Sequence, residues 1–143
     1  MSGYEETRRA AIVAEAMTWI GTAWHHEARV KGAGVDCAQF LIGVYVECGL
    51  IEPFTTDHYP QDWHLHNDAP RFLRYLLDYC KPTDTPKPGD VAMFKYGRQA
   101  AHGAILIDDR AMIHAYRNAG AVVVSDRDAF ADRLAGYYTW KGF

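Results

Sequence analysis

Cys37, His102 and His114 are the residues of this chain whose types and spacing could together make an activated thiol nucleophile. A thiol nucleophile needs a base, and the base needs a third polar group to orient it. Cys37 follows Asp36 in "GVDCAQFL" and stands where a helix begins. There the positive end of the helix dipole favours a thiolate, and a nearby cation lowers a cysteine pKa from about 8.5 to about 3.5–7.5. The free N–H groups of the same turn could also hold an oxyanion.

His102 in "AAHGAILID" and His114 in "AMIHAY" lie in strand-like segments on either side of Asp108-Asp109-Arg110. Antiparallel pairing about residue 108 would set the two imidazoles directly opposite on one face, given a loop of odd length or a bulge. Taken singly, each of the three residues is better explained as a core cysteine or a half-buried strand histidine. Cys48 lies three turns along the same helix and Cys80 at another helix end, and both read as structural. His64 and His66 in "DWHLH", like His25-His26, lack an acidic partner at helical spacing and a second cysteine pair. They read as solvated loop histidines, so no metal and no organic cofactor is expected.

The surrounding elements must bring these groups together. Ser2 and Glu5 have capping-box spacing, and Ile12, Val13, Ala16, Met17 and Ile20 form one stripe, which predicts a helix over about 4–20. Residues 21–35 read as loop. A second helix runs from Cys37, capped by Asp36, to Gly49, and is apolar nearly all round, hence buried. Residues 51–69 are polar, aromatic and proline-punctuated, a loop of a length that is often functional. A third helix is predicted over about 70–80, and 81–88 reads as a connector. Val91–Lys95, His102–Ile107, Ala111–Tyr116 and Ala121–Ser125 read as short strands, and Tyr137–Trp140 as a closing one. Ser125 or Asp126 can cap a short helix over Asp128–Leu134. Helices first and an antiparallel meander afterwards predict an α+β fold, organised as a single domain over 1–143.

The 143 residues carry a net charge of −3 without a basic cluster, which gives no footprint for nucleic acid. No stretch is long enough to span a bilayer. The acidic start, Tyr4-Glu5-Glu6, is unlike a signal peptide, so the chain is expected to be made in the cytoplasm and kept there or carried out by an assembly.

"GVDCAQFLIGVYVECGL", "KPGDVAMF", "HGAILID" and "MIHAY" occur in the order seen in NlpC-type cell-wall cysteine peptidases, and "WIGTAWHHEARVKGAG" resembles their lead-in loop. With "YPQDWHLH", the chain looks closest to the branch attached to tails of phages and gene transfer agents. The resemblance spans about Thr18 to Tyr116. It implies a papain-like domain, with N-terminal helices, one carrying the cysteine, packed on a central antiparallel sheet. It implies Cys37 as nucleophile, His102 as general base and His114 as the orienting residue, with no cofactor. It further implies a peptidoglycan peptide as substrate, cut between D-γ-glutamate and the diamino acid, and tail hub or tail-tip proteins as partners.

The chain departs from the family pattern at several points. Ala38-Gln39 replace the common Ser-Gly. Trp24 stands where a tyrosine often lies near the oxyanion, and Ala23 replaces a proline beside it. Trp24, Asp36, Ala38, Asp62 and Trp63 are the expected cleft residues, the last two on the long loop. Two other readings stay open: an amidase of the phage-lysin type, cutting the glycan–peptide amide or a cross-bridge, and a silent structural tail component.

Overall fold

A computed structural model describes residues 2–59, 69–96 and 99–143. Helix α1 (Gly3–Met17) begins at Ser2, whose hydroxyl accepts the Glu5 N–H at 3.1 Å. It buries Ile12 and Ala16 but ends before Ile20, which is exposed, and Trp19 takes the buried position instead. The predicted loop over 21–35 contains a small hairpin, β1 (Arg29–Val30) with β2 (Gly34–Val35), which delivers the chain to Asp36. Helix α2 (Cys37–Glu47) is buried from Ala38 through Tyr45, as its apolar composition requires, and Gly49 leaves it with φ +70°. Helix α3 (Ala69–Tyr79) contributes Phe72 and Leu76 to the same core.

Six strands form one antiparallel sheet: β3 (Cys80–Thr83), β4 (Val91–Tyr96), β5 (Gln99–Leu106), β6 (Ala111–Tyr116), β7 (Ala121–Asp126) and β8 (Leu134–Trp140), in the order β3-β8-β4-β5-β6-β7. The meander is confined to β4–β7, and β8 returns to the far side of β4. The first residues of the expected connector are therefore an edge strand, β3, where Pro82 costs no ladder bond on its open side. The expected helix over Asp128–Leu134 is a 3-10 segment, Arg127–Arg133, capped by the Asp126 carboxylate.

Met93, Ile105 and Ile113 pack with the helices in the main core. The other face carries Ala92, Phe94, Ala104, Leu106 and Met112 under Phe130 of the 3-10 segment. α1 is pinned to the sheet by Arg9. Its guanidinium meets Asp90 Oδ1 at 2.7 Å, the Thr139 hydroxyl at 3.1 Å and Glu5 at 3.0 Å, with Phe143 stacked against it. Both charges of the Arg9–Asp90 pair are buried, so each depends on the other for compensation.

Candidate active site

The hairpin turn between β5 and β6 is built on Asp108, whose Oδ1 accepts the N–H groups of Arg110 and Ala111 at 2.8 Å each. The strands pair as Ile105↔Ile113 and Leu106↔Met112, a register centred on residue 109. The expected centre at 108 is therefore one residue off. Because a one-residue shift of the centre changes the index sum by two, the histidines stay on one face but become diagonal neighbours instead of direct opposites. They still meet: His102 Nε2 lies 2.7 Å from His114 Nδ1. His114 Nε2 in turn lies 2.8 Å from the Ser125 hydroxyl, and Ser125 stands two residues beyond Val123, the partner of His114 on β7. His102, His114 and Ser125 thus form a diagonal row across three strands. Sequence reasoning treated Ser125 as a helix cap. The signal that finds it is the β6–β7 register, which no local pattern supplies.

The sulfur meets the backbone of β5, on either side of His102, where the sheet opens. The β5–β6 ladder stops at Ile105↔Ile113, while β5 stays paired with β4. Phe94↔His102 followed by Lys95↔Ala100 leaves Ala101 as an extra residue, a bulge of the kind that re-aims a strand beside a site. Cys37, in the first turn of α2, points at this freed edge, and its thiol donates to the Ala101 carbonyl at 3.8 Å. The N–H groups of Gly103, Ala38 and Cys37 itself face the sulfur. Since Nε2 of His102 is engaged by His114, Nδ1 is the ring nitrogen left for a proton from the thiol.

The resting electrostatics differ from the expectation of a preformed thiolate. Burial, with the neighbouring Asp36 carboxyl, pushes the Cys37 thiol well up, and this outweighs the facing N–H groups. Burial also lowers His102 to about 3, helped by His114, and lowers His114 to about 4. Aromatic rings keep water from the imidazoles. Tyr96 stacks on His102 at 5.6 Å, Tyr116 on His114 at 4.8 Å, and Phe130 meets His114 edge-on at 5.3 Å. Burial thus disfavours the charged form of each group, thiolate and imidazolium alike.

Asp36 is a cap and an anchor more than an open cleft carboxylate. Its oxygens accept the Gln39 N–H at 2.9 Å, the Glu27 N–H at 2.8 Å and the Tyr59 hydroxyl at 2.5 Å. Burial nonetheless pushes its carboxyl up. Gln39, standing at the departure from the Ser-Gly pattern, donates its amide to the hydroxyls of Thr56 at 2.9 Å and Tyr59 at 3.1 Å. Glu27 accepts the Tyr59 N–H at 2.7 Å and faces His58 Nδ1 at 2.8 Å. These contacts tie residues 54–59 to the start of α2. Ala38 is buried and lines an apolar cavity of about 40 Å³ shared with Leu41, Phe54, Phe72 and Tyr75. Trp24 is half-buried, held by its N–H on the Gly120 carbonyl at 2.8 Å, with the Arg117 guanidinium 5.4 Å from its ring centroid. Asp62, Trp63, His64 and His66 lie outside the described residues. Among the described residues no three His, Cys, Asp or Glu side chains are placed to hold a metal ion.

A model of a protein family described as the NlpC/P60 family matches residues 18–137. Among curated proteins none matches the chain. Its fold is similar to the crystal structure of the NlpC/p60 domain of the peptidoglycan hydrolase SagA (22% identity, TM-score 0.61, covering 92% of this chain and 97% of that one). It is also similar to a lipoprotein-like NLP/P60 protein from Staphylococcus aureus (18% identity, TM-score 0.64, 93% of this chain and 41% of that one). A third match is the peptidoglycan hydrolase RipB from Mycobacterium tuberculosis (16% identity, TM-score 0.59, 97% of this chain and 67% of that one). The chain thus spans less than half of the Staphylococcus aureus chain, about two thirds of the RipB chain and nearly all of the crystallised SagA domain.

Proposed function

The chain belongs to the NlpC/P60 family, and from that premise we propose that it is a cysteine peptidase that hydrolyses peptidoglycan stem peptides between D-γ-glutamate and the diamino acid. The observation that carries the reading is the Cys37 sulfur seated against the β5 backbone at Ala101 and Gly103, the two neighbours of His102, whose Nε2 is held by His114. SagA and RipB, of similar fold, are described as peptidoglycan hydrolases, which supports the substrate class.

In this mechanism the Cys37 sulfur attacks the amide carbon as its proton passes to His102 Nδ1. Burial disfavours a separated thiolate and imidazolium, which favours proton transfer in step with attack. The carbonyl oxygen becomes an oxyanion stabilised by N–H groups of the first turn of α2, with Trp24 at the rim. His102 then gives its proton to the leaving amine, the C–N bond breaks, and a thioester remains on Cys37. Water, losing a proton to His102, hydrolyses the thioester and restores the thiol. His114 orients His102 throughout.

The test is digestion of purified peptidoglycan by the wild type and by Cys37→Ala, read by mass spectrometry. Products with a new N-terminal diamino acid, released by wild type alone, support the reading. Equal release by Cys37→Ala refutes it, and freed N-terminal L-alanine would identify an amidase instead. We further propose that the protein acts on a phage-like tail, supported by the resemblance of "YPQDWHLH" to that branch. Mass spectrometry of purified tail particles that lack the chain would refute that part.

A further inference from the structure

We propose that Ser125 is a positioning residue that sets the protonation pattern of the histidine pair, holding His102 in the tautomer able to act as a base. The inference rests on the peptidase reading for its kinetic consequence, but its chemistry stands on the geometry of the row. Two neutral imidazoles joined by one hydrogen bond share a single proton between them, and that proton has two possible owners. If it belongs to His102 Nε2, then His102 Nδ1 carries a lone pair and can accept the thiol proton. His114 then carries its own hydrogen on Nε2 and must donate it. If the shared proton belongs to His114 Nδ1, the hydrogen of His102 sits on Nδ1, and the ring cannot take a proton there.

His114 is fully buried, and the group 2.8 Å from its Nε2 is the Ser125 hydroxyl. In the base-competent arrangement Ser125 Oγ accepts that N–H, and the half-buried serine can turn its own hydrogen toward solvent. The hydrogen bonds then run in one direction, from His102 Nε2–H to His114 Nδ1 and from His114 Nε2–H to Ser125 Oγ. In the inactive arrangement the same hydroxyl can donate to the bare Nε2 of His114; without it, the base-competent arrangement leaves a buried donor unpaired, whereas the inactive one leaves only an unpaired acceptor lone pair. Removing the hydroxyl therefore tilts the pair toward the inactive form. The stacked rings of Tyr96 and Tyr116 present faces, not acceptor atoms in the ring plane, and do not replace it.

The experiment uses the intact chain with 15N-labelled histidine, comparing wild type, Ser125→Ala and Ser125→Thr by long-range 1H–15N correlation at pH 7. The expected result is Nε2–H at both His102 and His114 in the wild type, movement toward Nδ1–H in Ser125→Ala, and recovery in Ser125→Thr. On peptidoglycan, Ser125→Ala is expected to lose about tenfold in kcat with KM unchanged, and Ser125→Thr to regain most of it. Unchanged tautomers in Ser125→Ala overturn the inference, as does Nδ1–H at His102 in the wild type. If the tautomers respond but the wild type cuts no peptidoglycan, the role of Ser125 stands and the substrate assignment falls.

Discussion

A buried, neutral histidine pair makes this fold acid-labile by an amount that can be worked from the site. His102 is 3% exposed and His114 is fully buried. Their dry surroundings hold them at about 3 and about 4, against about 6.5 in an unfolded chain. Between those limits the unfolded chain binds protons that the native state refuses. The stabilisation is therefore complete above about pH 6.5 and drains away as pH falls toward the folded values. From pH 7 to pH 5 each ring then costs about 2 kcal/mol, a large fraction of a typical 5–15 kcal/mol stability. The assay is urea unfolding at pH 7 and pH 5, in a Cys37→Ala background that prevents thiol oxidation, with and without His102→Gln. The glutamine variant is expected to be less stable at pH 7 yet to lose about 2 kcal/mol less on acidification. Carboxyls that also titrate, such as Glu27 and Asp108, are common to both proteins and cancel in the comparison. Equal acid sensitivity of the two proteins would refute the reasoning, since it would mean that His102 takes up its proton while native.

Other consequences of the structure are equally open to measurement. With its thiol pushed up by burial, Cys37 is expected to react with iodoacetamide more slowly at pH 7 than free cysteine, its rate rising steadily to pH 9; a plateau near neutrality would reveal an ion pair instead. Arg9→Met strands the buried Asp90 carboxylate and is expected to cost about 3–5 kcal/mol in chemical denaturation. Gln39→Ala removes two hydrogen bonds to Thr56 and Tyr59, and is expected to speed hydrogen exchange over 54–59 while costing about 1–2 kcal/mol of stability. Gly103→Ala places a Cβ 2.7 Å from Leu41 Cδ1 and is expected to cost about 1–3 kcal/mol, read by thermal unfolding.

How far the sequence could be read follows from the range of each interaction. Asp36 before Cys37, ahead of an apolar run, is a local signal, and helix α2 begins and is capped as expected. The shared face of His102 and His114 survives a shift of turn centre from 108 to 109, because strand parity tolerates it. The strand at Cys80–Thr83 was hidden by Pro82, which reads as a breaker unless the strand is known to be an edge. The bulge at Ala101 and the partnership of His114 with Ser125 depend on registers between strands, which composition and spacing do not encode. The opposition to the expected thiolate was hidden for a related reason: the helix dipole is visible in sequence, but the burial that pushes the thiol up is a property of the packed molecule. Gln39, read as a bare departure from a motif, proves to be the tie between α2 and residues 54–59.

Cys37 and the histidines belong to different layers, and among the described residues only the contacts of the sulfur with the Ala101 carbonyl and the Gly103 N–H tie one to the strand of the other. The rest is set by how closely α2 lies on β5 at Gly103, where a Cβ would stand 2.7 Å from the Leu41 methyl and 3.2 Å from the Met93 sulfur and the Phe72 ring edge. The clearance between nucleophile and base is thus a machining tolerance of the core. Core residues of the seam, Leu41 and Phe72 among them, thereby become dimensions of the site. A slight thermal dilation of the interlayer seam would idle the enzyme while every helix and strand remained in place.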